Sequence, residues 1–262
     1  MPIAVSGSIA TDHLMHFPGK FADSLLPDQL HRVSLSFLVD DLVVRRGGVA
    51  PNICFGMAKL GLSPILVGAA GADFGDYESW LTRNGVDCTK VHLCPDVQTA
   101  RFVCTTDDEM NQIASFYAGA MARAREIEIE PIARAYGGLD LVVIAADDPE
   151  GMVRHSEECR QRGYKFAADP SQQLARMDGP DVASLITGAS VLFTNDATSG
   201  PSIRASCCDG SAANLYPRSR HSSECRTIPS GSSAAITTRS RPPYARAIGS
   251  ISISLALAIA PA

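Results

Sequence analysis

The 262-residue chain has few basic residues, no long hydrophobic run and no basic leader. Lys and Arg number 23 against 28 Asp and Glu, for a net charge of −5, whereas a nucleic-acid binder needs a basic face for phosphate contacts. The longest apolar stretch, residues 251–261, is about half a bilayer span. The N-terminus has no basic segment before its short apolar run, which is unlike a signal peptide. We therefore expect a cytoplasmic protein that binds neither nucleic acid nor membrane.

None of the eight cysteines forms a C-x-x-C pair. A disulfide framework is typical of small secreted scaffolds, and this chain has neither that size nor an export signal. A zinc site needs ligand pairs at close spacing. His92 and Cys94 form one isolated H-x-C, which we interpret as an ordinary pair on a strand. The sequence therefore predicts no metal site of its own.

Several nucleotide-binding and nucleophile motifs are also missing. The sequence contains no G-x-x-x-x-G-K-[ST], no G-x-G-x-x-G after a strand and no G-x-S-x-G, which argues against a P-loop enzyme, a dinucleotide site and a serine hydrolase. Asp73-Phe74-Gly75 matches the DFG of protein kinases, but no HRD loop or VAIK strand accompanies it. We interpret Asp73 as a residue near the cap of a helix that begins there.

The composition changes near residue 197. Residues 1–196 carry a net charge of −10 and residues 197–262 a net charge of +5. The later part has no Val, Phe, Trp or Lys, but 14 Ser, 12 Ala and 6 Pro. One interpretation is a disordered low-complexity tail with too little apolar surface to offset chain entropy. The other is a shifted reading frame, since GC-rich codons read out of frame give this composition. The other two frames of the gene distinguish the two.

Strands alternate with helices before that point. Strands are predicted at 3–9, 33–44, 64–69, 86–93, 139–145, 164–168 and 191–194, a hairpin at 99–106 and 112–117, and helices at 51–60, 74–83, 149–162 and 181–187. This order predicts an α/β fold with a mainly parallel sheet. The hairpin and the strand at 33–44 break the alternation and indicate an antiparallel accessory sheet. Ligands are expected at the carboxyl ends of the parallel strands, around 8–12, 68–73, 169–173 and Asn195.

A double glycine followed by an asparagine is the strongest local signal. Gly47-Gly48 allows backbone to approach a ligand closely, and Asn52, near the start of the helix that Pro51 opens, offers both a donor and an acceptor to hydroxyl groups. Asp12 follows the first strand, where a carboxylate can accept from two neighbouring sugar hydroxyls. The same residues also fit a tight turn with a capping asparagine, so the motif alone leaves both interpretations open.

The spacing G-G-x-x-x-N-x-C-x(6)-G-x(9)-G from Gly47 resembles the first motif of the ribokinase-like (PfkB-type) carbohydrate kinases, with Cys54 where Ser, Thr or Ala is usual. The strings GSIATDHL, VGAAGADFGDY, AADPSQQLAR and LFTND occur in the family's order, and in detail resemble adenosine kinases. The resemblance covers about residues 1–196. It implies a ribokinase-like α/β fold, C-terminally truncated, with a mainly parallel sheet flanked by helices and a small β lid at about 10–18, 33–46 and 99–117.

The resemblance also implies an activity and a sugar pocket. Members of the family transfer the γ-phosphate of ATP, with Mg²⁺, to a sugar or nucleoside hydroxyl, here the 5′-hydroxyl of adenosine. Asp12 would bind the ribose hydroxyls, Gly48 and Asn52 would complete the pocket, and Ser8 would lie beside it.

A purine clamp and a homodimer are implied in the same way. Phe102 and Phe116 would sandwich the base, since stacking is worth roughly 1–3 kcal/mol per base; packing inside the lid is the alternative. Gln172 and Gln173 would offer amides to the base or to lid closure, or form a solvated helix start. Lid strands of this family often pair between subunits, which implies a homodimer.

The family's late D-T-x-G-A-G-D segment, which supplies the catalytic base and the anion hole, occurs nowhere in the 262 residues. No catalytic residue is therefore predicted. The N-x-x-E motif that organises the metal and phosphate region starts at Asn195 but has Thr198 in place of Glu. ATP and Mg²⁺ are implied by the family, but their binding to this chain is in doubt. We expect the chain to be related by descent to kinases of adenosine, or of another nucleoside or sugar. We also expect the chain itself to be inactive. The alternatives are a non-catalytic nucleoside-binding remnant and a kinase of another sugar.

Overall fold

The computed structural model describes residues 1–25 and 36–195, together with the backbone of a strand at 234–238. The strands are β1 (Ile3–Ser6), β2 (Ala10–His16), β3 (Asp41–Gly47), β4 (Ile65–Gly71), β5 (Val91–Cys94), β6 (Ala100–Thr106), β7 (Gln112–Tyr117), β8 (Leu141–Ala145), β9 (Phe166–Asp169), β10 (Val191–Asn195) and β11 (Ala234–Thr238). The α-helices are α1 (Phe21–Ser24), α2 (Val49–Lys59), α3 (Gly75–Arg83), α4 (Ile129–Ala135), α5 (Pro149–Arg162) and α6 (Gly179–Ile186). Short 3₁₀ turns cover Gly119–Glu126 and Ser171–Arg176.

Seven parallel strands form the main sheet, in the order β11-β10-β9-β8-β1-β4-β5. The strands β1, β4 and β9 are buried along their whole length, as expected for a parallel sheet covered on both faces. One core cluster packs α2 and α3 against one face, and a second packs α4, α5 and α6 against the other. The predicted mainly parallel α/β architecture is confirmed.

The other four strands form a second sheet, here called the small sheet, in the order β3-β2-β6-β7. Its outer pairs, β2–β3 and β6–β7, are antiparallel, but the central pair β2–β6 is parallel. The predicted antiparallel pairing is therefore correct for the hairpin and for β3, whereas the central pair of the accessory sheet is parallel. β2 continues the direction of β1 after the short link at residues 7–9, and β6 runs alongside it in the same direction.

The strand predicted at 33–44 begins only at Asp41; its first residues, 33–35, lie outside the described part of the chain. The apolar alternation has a different cause at Phe37. This ring packs 4.8 Å from the Phe17 ring and 5.3 Å from the Phe21 ring, centroid to centroid. Phe37 thus belongs to an aromatic cluster beside the small sheet rather than to a strand.

Other boundaries also differ from the predictions; for example, the strand predicted at 3–9 ends at Ser6. The strand predicted at 86–93 covers only Val91–Cys94, because Asp87 accepts hydrogen bonds from the amide and hydroxyl of Thr89 and turns the chain. The helix α2 begins at Val49, so Pro51 is its third residue, where a missing N–H costs nothing. Asp73 lies next to Phe74, the cap residue of α3, as predicted, and its carboxylate accepts from the Thr99 N–H at 2.7 Å.

One piece of the later chain has a described place. The backbone of β11 pairs in parallel with β10, with Ala234 opposite Val191. The other residues of the predicted tail lie outside the described part, so the two interpretations of that segment stay predictions. In the part of the chain that is described, no helix is both long and apolar enough to cross a membrane.

Candidate functional site

The link between β1 and β2 is held against the start of α2. Gly48, at the N-terminus of α2, has φ 91°, and a Cβ added there would lie 2.4 Å from the Ser8 carbonyl oxygen and 2.7 Å from the Ala10 nitrogen. The Val49 N–H donates to the Ser8 hydroxyl at 3.4 Å. Only glycine allows this approach, because it has no side chain and tolerates positive φ. Ser8 is thereby fixed at the helix N-terminus.

Asp12 lies on β2 just after this contact, and Gly47 makes room for it. A Cβ at Gly47 would lie 2.7 Å from each carboxylate oxygen of Asp12. Burial raises the pKa of Asp12, while Arg45 and His13 oppose that change. The Tyr77 hydroxyl donates a hydrogen bond to the Gly47 carbonyl at 2.9 Å. The carboxylate is thus partly shielded from water, with hydrogen-bonding capacity left for a ligand.

The register of the small sheet places the predicted site residues in one row. Asp12 is opposite Arg45 on one side and Phe102 on the other, and Phe102 is opposite Phe116. Register partners project from the same face of a sheet. One face of the small sheet therefore carries, side by side, a cation, a carboxylate and two aromatic rings.

The two phenylalanines are neighbours rather than facing walls. Phe102 is half-buried, and Phe116 is 43% exposed. Opposite side chains leave the backbone about 5 Å apart, less than the roughly 7 Å that a base stacked between two rings requires at about 3.5 Å per contact. A base can stack across both rings directly, whereas the predicted sandwich requires the rings to splay apart. The purine clamp stays a prediction.

The remaining predicted residues lie at the same edge of the main sheet. Asn52 is half-buried on the second turn of α2. Gln172 and Gln173 lie on the 3₁₀ turn after β9; Gln172 is exposed, and the buried Oε1 of Gln173 has no hydrogen-bond partner. Asn195 is the last residue of β10, and its side chain lies outside the described part. In sheet order, β9 is separated from β1 by β8, so the glutamines lie to one side of the Ser8–Asp12 group.

Asp147 is the most unusual carboxylate in the described part of the chain, and no sequence motif predicts it. It follows β8 beside Ser8, whose N–H donates to the Ala146 carbonyl at 3.0 Å. Asp147 is 2% exposed, and no hydrogen bond of ordinary geometry reaches either of its oxygens. Burial raises its pKa to about 8, although the neighbouring Asp148 amide works against that rise. The available signal was its position, directly after the apolar strand at 139–145.

Asp169, at the end of β9, is a second buried carboxyl group with an unpaired oxygen. It is 2% exposed, its Oδ2 has no hydrogen-bond partner, and burial raises its pKa to about 7. Ser171, two residues later, has φ 46°, which is uncommon for a residue with a side chain. Perturbed carboxyl groups and strained backbone at strand ends are typical of functional sites. The carboxyl edge of the main sheet is therefore the candidate site.

Comparisons with known proteins identify the family. The family model described as "pfkB family carbohydrate kinase" matches residues 17–198. A nucleoside kinase of Methanothermobacter thermautotrophicus is 28% identical over 191 residues, which is 72% of this chain and 58% of that protein. A nucleoside kinase of Methanocaldococcus jannaschii is 27% identical over 154 residues, or 57% of this chain and 48% of that protein. The chain thus spans about half the length of these curated relatives.

Solved structures of nucleoside kinases are also similar to this chain. The Burkholderia thailandensis nucleoside kinase in complex with inosine is 31% identical with a TM-score of 0.60, over 79% of this chain and 63% of that one. The M. jannaschii nucleoside kinase, described as an archaeal member of the ribokinase family, has a TM-score of 0.63 at 22% identity, over 79% of this chain and 63% of that one. The predicted ribokinase-like fold and the family resemblance are confirmed.

We expect Gly48→Ala to destabilise the fold more than Gly61→Ala. Both glycines have positive φ, 91° and 86°, but an added Cβ at Gly61 meets nothing within 4 Å. The control therefore carries only the conformational penalty of a side chain at positive φ, about 1–2 kcal/mol, whereas Gly48→Ala adds a backbone clash worth about 1–3 kcal/mol more. Urea unfolding of both variants measures the difference, and equal losses would contradict the close approach at Ser8.

We expect Asp147→Asn to become increasingly stabilising as the pH rises from 4 to 8. The folded carboxyl holds its proton to about pH 8, while the unfolded one releases it near pH 3.9. Folding of the wild type must therefore take up a proton across this range and loses free energy as the pH rises, whereas asparagine has no such requirement. Melting temperatures of both proteins at pH 4, 6 and 8 test this. A difference that does not change with pH would show that Asp147 is not buried as described.

Proposed function

The chain belongs to the pfkB family of carbohydrate kinases, and we propose that its 1–196 segment is the acceptor-binding part of a nucleoside kinase. The observation that carries the proposal is the row Arg45–Asp12–Phe102–Phe116 on one face of the small sheet. A carboxylate beside aromatic rings matches a molecule with neighbouring hydroxyls next to a flat base. The fold alone would not select that chemistry, because one fold hosts many functions.

Asp12 is proposed to hold the ribose. An ionised carboxylate accepts up to four hydrogen bonds and donates none, so it suits two adjacent hydroxyl donors. Gly47 keeps the space around both carboxylate oxygens free of side-chain atoms, and Asn52, half-buried on α2, is proposed to complete the pocket. Ser8 fixes the backbone on the opposite side of the pocket through its contact with Val49.

The aromatic pair and the glutamines are proposed to receive the base. The B. thailandensis nucleoside kinase forms a complex with inosine, and a purine of this kind offers two faces for stacking on Phe102 and Phe116. Gln173, whose amide oxygen is buried without a partner, and Gln172 are proposed to contact the base or the closed small sheet, which would act as a lid. The sequence does not distinguish adenosine from other nucleosides, and a plain sugar is the alternative acceptor.

We propose that the described residues alone do not hold ATP and Mg²⁺, because the D-T-x-G-A-G-D segment that would supply the anion hole is absent from the sequence. Solved relatives carry ADP, as in the Cryptococcus neoformans ribokinase complex and the ADP-inosine complex of the B. thailandensis enzyme. In residues 1–25 and 36–195, however, no group of three or more His, Cys, Asp or Glu side chains is arranged to hold a metal ion. No step through either group is therefore derived for this chain.

We further propose that this 262-residue polypeptide binds nucleoside without phosphorylating it. The D-T-x-G-A-G-D string is absent from the sequence, and the family match ends at residue 198, next to the change in composition. Purine salvage, as the role of the parent enzyme, belongs to the same proposal. The change at residue 197 itself is proposed to mark a low-complexity or out-of-frame segment.

A homodimer through the small sheet and a cytoplasmic location complete the proposal. On the face opposite Asp12, Leu42, Val44 and Ile113 are 56%, 57% and 44% exposed. Neighbouring apolar side chains on an uncovered sheet favour pairing with a second copy. The described cysteines, which are free thiols, suit a reducing compartment.

We expect inosine to raise the melting temperature of the wild-type chain and Gly47→Ala to remove most of that rise. An added Cβ would displace the Asp12 carboxylate, and a lost hydrogen bond to a charged group costs about 1.5–3 kcal/mol, or roughly 10–100-fold in affinity. Gly75→Ala is the matched control, because an added Cβ there meets nothing within 4 Å. Thermal shift and calorimetric titration measure both quantities.

Different outcomes affect different parts of the proposal. No shift with inosine or adenosine would refute the pocket. A shift with ribose equal to that with inosine would favour a plain sugar acceptor. In a coupled assay with ATP, Mg²⁺ and inosine we expect no ADP formation above background, and turnover would refute the non-catalytic part alone.

A further inference from the structure

A second row of side chains lies directly behind the row of site residues. Arg46 and Arg101 are the register partners of Thr11 on its two sides. Arg46 follows Arg45, Thr11 precedes Asp12, and Arg101 precedes Phe102, so each residue of this second row is a sequence neighbour of a residue in the row Arg45–Asp12–Phe102–Phe116. Because side chains alternate along a strand, the two rows project from opposite faces of the small sheet. The back row therefore contacts a different part of the molecule from the site row.

Arg101 is bound to the residue that precedes α3. Its guanidinium lies 2.7 Å from the Asp73 carboxylate and donates to the Gln98 Oε1 at 3.0 Å. The same carboxylate accepts the Thr99 N–H at 2.7 Å. Both charged side chains are partly shielded, at 35% and 26% exposure. Asp73 thus holds the backbone of Thr99, just before β6, and the side chain of Arg101 within β6 at once.

Arg46 is held by α3 itself. Its guanidinium lies 5.1 Å from the centre of the Trp80 ring and 6.0 Å from that of Tyr77, within the range of a cation–π contact. Tyr77 donates to the Gly47 carbonyl, and Trp80 stacks on Phe55 at 4.8 Å. We call Asp73, Tyr77 and Trp80 the anchor face. It contacts both the β3 side and the β6 side of the small sheet.

The two strands that carry the phenylalanines also pass through close backbone contacts near Gln98. A Cβ at Gly71 would lie 2.2 Å from the Gln98 carbonyl carbon, and a Cβ at Gly119 would lie 2.3 Å from the Gln98 oxygen. The Ala120 N–H donates to that oxygen at 3.0 Å. The end of the small sheet near Gln98 is therefore packed backbone to backbone. The orientation of the rest of the small sheet then depends on its contacts with the anchor face.

We propose that the anchor face orients the small sheet, and that Asp73 and Arg101 are positioning residues that place Phe102 for recognition of the base. This inference rests on the proposed nucleoside function. Arg101 is adjacent to Phe102 in β6, so the ion pair with Asp73 restrains the strand at the position that carries the ring. Partly exposed ion pairs contribute little to stability, so the value of this pair lies in position rather than in folding energy.

Replacing Arg101 tests the proposal by comparing two probes, inosine and D-ribose. In Arg101→Met, inosine should bind about 10-fold more weakly, a loss within the range of base stacking, while ribose, measured by competition, should bind as it does to the wild type. Arg101→Lys, which keeps the charge, should restore part of the affinity. Arg123→Met is the matched control, since the Arg123–Asp96 pair is also 2.7 Å long and neither residue belongs to a strand of the small sheet; it should leave both affinities unchanged.

Asp73→Asn provides a second, milder variant if Arg101→Met folds poorly, because the amide oxygen still accepts from Thr99; it should weaken inosine alone. Melting temperature and the emission of Trp80, the single tryptophan, confirm an intact fold. Unchanged inosine affinity in either variant, or equal weakening of inosine and ribose, would overturn the positioning role. If the wild type itself bound neither probe, the proposed nucleoside function would fail first and this inference with it.

Discussion

Ser8 and Ala10 leave no room for a side chain at Gly48, and the rest of the site depends on that contact. With the added Cβ only 2.4 Å from the Ser8 oxygen, the N-terminus of α2 and the β1–β2 link can lie together only because residue 48 is glycine. Gly47, one position earlier, does the same for the carboxylate of Asp12. The pair of glycines therefore lets the start of α2 pack against the β1–β2 link and leaves room for the Asp12 carboxylate.

Because side chains alternate along each strand, the two faces of the small sheet carry different groups. The Asp12 face carries the groups that match a nucleoside, and the opposite face carries Arg46 and Arg101, which contact the anchor face. Further from the anchor, that same opposite face is apolar and exposed at Leu42 and Ile113. The surfaces proposed for nucleoside binding, for anchoring and for self-association thus lie at separate places on one sheet of four strands.

Much of this arrangement is predictable from the sequence, and the failures have physical causes. The helix at 149–162 is predicted to the residue, because Asp148 caps it and Gly163 ends it in the left-handed region. The start of β3 is missed because the alternation at Phe37 reflects an aromatic cluster. The role of Asp73 is missed because its partners, Thr99 and Arg101, are 26 and 28 residues away. Asp147 has no sequence motif at all; only its burial without a partner distinguishes it.

Amide hydrogen exchange with and without inosine tests the central claim, that residues 1–196 form an acceptor pocket between the two sheets. The account predicts slower exchange on adding inosine in peptides that cover 8–16, 47–52 and 100–117, with little change in α5 and α6 on the far side of the main sheet. Unchanged exchange in those three segments, at inosine concentrations that alter exchange elsewhere, would contradict it.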